Sequence, residues 1–238
     1  MLSIIIPILN EEKNIKKLNL LIYQNLKNIK FEIIFVDDNS MDNSKTTLNK
    51  ICKDFKYTNY IIRNNKKRDL TQSCFNGIEK SKYKNILIMD GDLQHNPKYI
   101  KKMVEIFSRE KLDIIIGARN FKKKNKEISF IRNTASIIIQ KLISIFLGSK
   151  SLDPMSGFFI FKKEIYYKNK NRLFGKGYKI LCDLLYSSSY SLLIKDYFIH
   201  LNSRNKGYSK MSFFILWNII FFIYLYFIKK FFRMIYRK

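Results

Sequence analysis

Cysteine is scarce in this chain: Cys52, Cys74 and Cys182 are three among 238 residues, far apart and without a CxxC pair. That excludes a disulfide framework and a thiolate zinc centre, and it fits a reducing cytoplasm. Histidine is scarcer still, and His95 and His200 share no ligand spacing; His95 reads as a polar residue at a strand end rather than a metal ligand. No internal repeat is visible, which excludes a solenoid. The opening Met1 to Pro7 lacks a basic lead and a small-residue cleavage site, and Glu11 and Glu12 follow almost at once. It reads as a strand, not a signal peptide. Acid is the minority charge: 19 Asp and Glu against 45 Lys and Arg leave a net charge of +26. Such a balance asks for an anionic partner, whether nucleic acid, anionic lipid or a phosphorylated substrate. Lys, Ile and Asn are all heavily used, so compositional drift competes with a binding role for the surface lysines. No nucleic-acid recognition motif is present and the C-terminus is apolar, so the expected partners do not include nucleic acid.

What the chain has is apolar content: 47% hydrophobic and 15% aromatic residues, enough for a packed fold of one main domain at this length. Strand-length apolar runs at 2–6, 31–36, 58–62, 85–89 and 112–117 alternate with helix-like segments at 11–27, 42–54, 69–81 and 97–108. Continuous runs such as Ile33-Ile34-Phe35-Val36 suit strands buried on both faces, so the expectation is an α/β fold with a mostly parallel central sheet flanked by helices. The lysine-rich stretch 118–128 reads as a basic loop. The Ile- and Phe-rich helix that follows, 129–147, either packs on the core or grazes a membrane. From Met211 to Ile228 only Ser212 and Asn218 are polar, and a basic tail follows. We read 1–210 as the catalytic domain and 211–238 as a hydrophobic membrane-anchoring helix. As a span it is short and as an in-plane helix it is ample, and a core helix is the remaining reading. On this division, removing 211–238 releases the protein from membranes and spares the donor site.

The chemistry concentrates where predicted strands end. Ile88-Met89-Asp90-Gly91-Asp92-Leu93-Gln94 sends a buried strand into two carboxylates one residue apart, at the sheet edge where α/β folds bind ligands. Two acids there can hold a hard divalent cation, which would bridge diphosphate oxygens and take up the leaving group's charge. Val36-Asp37-Asp38-Asn39-Ser40 ends a second strand, one acid free to meet a base or ribose and the other to order the turn. Pro7-Ile8-Leu9-Asn10-Glu11 ends the first, with Glu11 at the head of a helix. Three acidic loops at one edge of one sheet make a site by convergence. The run Asp153-Pro154-Met155-Ser156-Gly157 is expected to shape a sugar pocket, Gly157 allowing close backbone approach.

SIIIPILNEEKNI, VDDNSMDNS, MDGDLQHNP, GARN, DPMSGFF and GYKIL together resemble the family 2 glycosyltransferases of GT-A fold, in particular those acting on dolichol and polyprenyl phosphates. The resemblance implies a nucleotide-diphospho-sugar transferase whose nucleoside contacts are Pro7, Leu9, Glu11, Val36 and Asp38. It implies a DxD of Asp90 and Asp92, with Gly91 between them where Ala is more usual. Gln94 completes the surroundings of a Mg2+ or Mn2+ ion. Arg119, Arg132 and Ser136 match lipid-phosphate positions; Lys179, Arg204 and Lys210 match donor-side cations, the last two on a flap where Tyr208 replaces the usual acid. Asp90, Asp92, Arg204 and Lys210 are the expected catalytic set. The implied reaction is inverting transfer of mannose from GDP-mannose to a polyprenyl phosphate at the cytoplasmic face of the cell membrane; the alternative is a glucosyl or amino-sugar transferase using a UDP-sugar.

Overall fold

The structure is a computed structural model that describes residues 1–65, 67–119, 130–177, 179–202 and 220–228, with backbone alone for 130–136. Four strands, β1 (Leu2–Ile8), β2 (Phe31–Asp37), β3 (Thr58–Ile62) and β4 (Asn85–Ile88), run parallel. Each is followed by a helix: α1 (Glu12–Asn25), α2 (Ser44–Asp54), α3 (Leu70–Lys80) and α4 (Lys98–Arg109). The second part adds β5 (Ile114–Arg119), α5 (Phe130–Leu147), β6 (Phe159–Lys162), α6 (Lys163–Asn169), α7 (Ile180–Ser187) and β7 (Ile194–Ile199). All seven strands join one sheet in the order β3-β2-β1-β4-β6-β5-β7. Only β6 is reversed, antiparallel to both β4 and β5, while β7 is parallel to β5.

Successive strand residues face opposite sides of a sheet, and here both sides are apolar. Ile4, Ile6, Ile33, Phe35 and Leu87 pack under α1, α2 and α4. Ile5, Ile34, Val36, Ile86 and Ile88 pack against α3, α5, α6, α7 and the helical segment 220–228. Helix α4 shows how periodicity becomes packing: Ile100, Met103, Ile106 and Phe107 are its buried residues, spaced to lie on one face, and each such side chain contributes about 1.5–3 kcal/mol of transfer free energy on burial. Helix α3 approaches β1 closely because Gly77 has no side chain; a Cβ there would lie 2.4 Å from Ile5 Cγ2.

The predicted βα alternation matches the observed elements through β5. Strands β6 and β7 have no counterpart in the expectation. Phe159–Lys162 is only four residues long, and it lies just after the Asp153–Gly157 run, which draws attention to its turn residues rather than to a strand. In β7 only Ile199 is buried, so its alternation is that of an edge strand.

The expected C-terminal anchor is described only at 220–228, which is helical. Phe222, Ile223 and Tyr226 are buried in the core, while Ile220, Phe221, Tyr224 and Phe227 are exposed. Among the described residues no helix is long and apolar enough to cross a membrane.

Candidate active site

The reversed strand gathers the site. The parallel strands β1, β2 and β4 deliver their following loops to one edge of the sheet, and β5 ends there with Arg119. Because β6 runs the other way between β4 and β5, the turn leading into it, 153–158, arrives at that same edge. Two juxtapositions follow. A Cβ at Gly157 would lie 2.4 Å from Asp90 Oδ2, so glycine is what lets the turn lie on the first carboxylate of the DxD. The Arg119 guanidinium donates to Asp153 through Nε at 2.7 Å and Nη2 at 2.8 Å, with the Arg119 amide adding a third bond at 3.1 Å. Asp153 is fully buried, so this forked pair welds the end of β5 to the turn.

A cavity of about 160 Å³ opens at the end of β4, lined by Asp90, Met155, Ser156, Gly157, Lys179 and their apolar neighbours Leu70, Ile88, Ile180 and Leu181. Asp90 is 36% exposed into this region, and His95 Nε2 lies 3.5 Å from its Oδ2. The His95 ring stacks on Phe158 at 5.2 Å, and its Nδ1 has no hydrogen-bond partner among the described residues. Asp92 is buried and its Oδ1 accepts the Gln94 amide at 3.1 Å. Buried Gln94 is held through its carbonyl by the Asn202 amide at 2.9 Å. Gly91 sits under β1, where an added Cβ would meet Ile8 Cγ2 at 2.7 Å; the missing methyl of the usual Ala is filled by that isoleucine.

These residues fit a divalent cation of the Mg2+ or Mn2+ kind. Asp90 and Asp92 supply hard oxygen donors. Among the described residues no group of three or more His, Cys, Asp or Glu converges into a closed centre. Such ions are commonly held by one or two carboxylates with substrate phosphates completing the shell.

On the other side of β1, Asp37 orders its turn by accepting from the Ser40 amide at 2.9 Å and hydroxyl at 2.5 Å. Asn10 and Asn39, both with positive φ, shape the two adjoining loops, which are tied by the Asn10 amide to Ser40 Oγ at 2.8 Å and the Met41 amide to Asn10 Oδ1 at 2.8 Å. Asp38 is buried; Oδ1 pairs with Arg63 and Oδ2 accepts the Asp69 amide at 2.6 Å. Burial raises the Asp38 pKa, against the lowering effect of Arg63. Pro7 and Val36 are buried, so Val36 faces the core beside Gly77 and only its backbone remains for a ligand. Leu9 and Glu11 are half-buried, and Glu11 Oε2 accepts from Asn14.

Lys179 occupies the position before α7 and is buried, its Nζ 4.4 Å from the Phe174 ring centroid and 4.7 Å from that of Phe222. Burial pushes its pKa down to about 8. Arg204 and Lys210 lie outside the described residues, and so does the flap they define; Arg132 and Ser136 fall on the backbone of α5 with their side chains outside the description. Sequence reasoning missed Arg63, Asp69 and Asp153 as supports. Arg63 follows directly on β3, and a cation at a strand's carboxyl end was the available signal.

The family model described as glycosyl transferase family 2 matches residues 3–169. The chain is 32% identical over 221 residues to the dolichol-phosphate mannosyltransferase of Pyrococcus furiosus, covering 88% of this chain and 59% of that protein. It is 30% identical over 193 residues to the dolichol-phosphate mannosyltransferase of Saccharomyces cerevisiae, covering 77% and 69%. Among solved structures, glucosyl-3-phosphoglycerate synthase from Mycobacterium tuberculosis, in complex with Mn2+, UDP-glucose and phosphoglyceric acid, superposes with a TM-score of 0.67 at 17% identity, over 87% of this chain and 72% of that one. This likeness extends to the fold.

Proposed function

The chain belongs to glycosyl transferase family 2, and from that premise we propose that it transfers mannose from GDP-mannose to a polyprenyl phosphate at the cytoplasmic face of a membrane. The observation that carries the reading is the meeting of Asp90 with the Gly157 turn and Lys179 around one cavity at the end of β4. Acid, cation and small pocket there suit a sugar linked to a diphosphate. The two mannosyltransferase relatives favour mannose over the UDP-sugar alternative.

An oxygen of the lipid phosphate attacks the anomeric carbon, the bond from that carbon to the diphosphate oxygen breaks, and the nucleoside diphosphate leaves with both electrons of that bond. One displacement inverts the anomeric centre. No side chain need remove a proton, because a phosphomonoester with a second pKa of about 6 is already ionised at neutral pH. Asp90, Asp92 and Gln94 would hold the divalent ion, which when bound neutralises charge on the departing diphosphate. Lys179 supplies fixed positive charge beside the cavity, and Arg204 and Lys210 add more from the flap. Loops 9–11 and 38–43 take the nucleoside. Arg119, with Arg132 and Ser136 one helical turn apart on α5, takes the acceptor phosphate. Positioning and preorganised charge provide the acceleration.

The experiment offers GDP-mannose, UDP-glucose and a UDP-amino sugar together with polyprenyl phosphate in vesicles, and reads the lipid product by mass spectrometry. A mannosyl phospholipid is the expected product. A glucosyl or amino-sugar lipid replaces the donor assignment, and no sugar on the lipid overturns the acceptor.

A further inference from the structure

The hydrophobic C-terminus reads from sequence as an anchor separable from catalysis, yet its described part packs against Lys179, which lines the cavity. We propose that Phe222 and Tyr226 are positioning residues for the donor diphosphate, holding Lys179 and the 173–177 loop in place beside the cavity that Asp90 lines. This rests on the donor role given to Lys179 above.

Phe222 is fully buried, and Lys179 Nζ lies between its ring and that of Phe174; the two rings stand edge to face, 5.8 Å apart at 90°. A buried ammonium needs compensation, and two ring faces contribute to it. Tyr226 stacks on Phe222 at 4.5 Å. Its hydroxyl lies 2.8 Å from Asp183 Oδ1 and 3.0 Å from the Arg172 carbonyl. Asp183 is buried on α7 and accepts the Phe174 amide at 2.9 Å and the Gly175 amide at 2.8 Å. That carboxylate thus clasps the loop, and Tyr226 clasps the carboxylate.

The loop is tied onward to the nucleoside side of the site. Gly175 and Gly177 both take positive φ, which glycine alone adopts without strain. The Gly175 carbonyl accepts from Gln72 Nε2 at 2.6 Å and the Gly177 carbonyl from Thr71 Oγ1 at 2.7 Å. The Gly177 amide donates to Asp69 Oδ2 at 2.9 Å, and the Asp69 amide donates to Asp38. An unbroken set of contacts therefore runs from the tail through Asp183 and the loop to Asp69 and Asp38. Among the described residues, Cys182, Asp183 and Asp69 act electrostatically on Lys179; burial raises the Cys182 pKa far above neutrality, so the thiol stays uncharged.

The test is calorimetric titration of GDP and of UDP, each with Mn2+, into the full chain in vesicles across pH 6.5 to 9.5, roughly the window in which a lysine lowered to about 8 loses its charge. Affinity of the wild-type protein should fall as pH rises through that value, and the fall should be absent in Lys179→Met. Phe222→Ala admits water and should move the fall to higher pH. Phe222→Leu keeps the apolar volume but removes the ring, and should move it to lower pH. Tyr226→Phe should weaken binding about tenfold, the scale of one hydrogen bond to a charged group. If the midpoint stays put in both Phe222 variants, with affinity lowered equally at every pH, the residue is structural only and the proposal fails. If Lys179→Met binds like wild type, the donor role of Lys179 fails instead. Phe222→Leu keeps the test decisive should Phe222→Ala not fold.

Discussion

At the scale of single residues, the site depends on atoms that are absent as much as on those present. Gly157 leaves room for Asp90, and Gly157→Ala would press a methyl onto the carboxylate and its Cγ at 2.8 Å. The side chain must rotate away. Displacements of this size at a reacting centre cost about 10²-fold in rate, so transfer should drop by that order while the melting temperature hardly moves. A melting temperature that falls together with activity would mean the turn, not Asp90, had given way. Asp92→Ala should abolish transfer outright and leave the circular dichroism spectrum unchanged, since the residue lies in the loop after β4 rather than within a helix or strand. Wild-type turnover of Asp92→Ala in the presence of a chelator would sink the metal-dependent mechanism.

At the scale of elements, the forked pair between Arg119 on β5 and Asp153 before β6 ties the end of one strand to the entry of its antiparallel partner. Asp153→Ala leaves the guanidinium without its counter-ion in a largely buried place, and should cost about 3–5 kcal/mol, the range for breaking a buried pair, read as a shift of the denaturant midpoint. The burial of Asp153 also shows what sequence could and could not reveal. Strands β1 to β5 and helices α1 to α4 were legible because their apolar runs and periodicity are local in sequence. The DxD was legible because two acids broke a buried run. Asp153, Arg63 and Asp69 were not, because each acts on a partner distant in sequence: 34 residues separate Arg119 from Asp153 and 25 separate Asp38 from Arg63. The tail was only partly legible, for the opposite reason. Its apolar composition is plain, but composition does not say that Phe222, Ile223 and Tyr226 share a buried face while Phe221 and Tyr224 do not.

At the scale of the whole molecule, α5 and segment 220–228 both carry exposed apolar residues. Ile138, Ile145 and Phe146 on α5 are exposed, as are Ile220, Phe221, Tyr224 and Phe227, and Phe146 and Phe227 touch edge to face at 5.5 Å. On the function proposed above, this surface would face lipid, with the positive net charge favouring anionic headgroups. Ile145→Asp, at the most exposed of these on α5, should reduce co-sedimentation with anionic phospholipid vesicles severalfold and leave GDP affinity unchanged. Removal of 211–238 is expected to do more than release the protein, because it uncovers Lys179 and deletes three core side chains. Donor affinity and thermal stability should fall together with membrane binding, and intact affinity in the truncated chain would restore the picture of a detachable anchor.

The reversed strand also sets an order in time. β1, β2 and β3 pair with their neighbours over short separations, Leu2 with Phe31 and Ile33 with Thr58, whereas β6 must slot between β4 and β5, joining Asn85 to Lys162 and Ile114 to Phe161. Contacts this distant in sequence form late because loop closure must come first. A nascent chain can therefore hold the loops after β1 and β2 before the DxD has a wall to stand against, and catalytic competence waits on the insertion of β6. Pulse-labelled hydrogen exchange during refolding should show the amides of Phe159–Lys162 gaining protection after those of β1 and β2, in step with the recovery of sugar transfer.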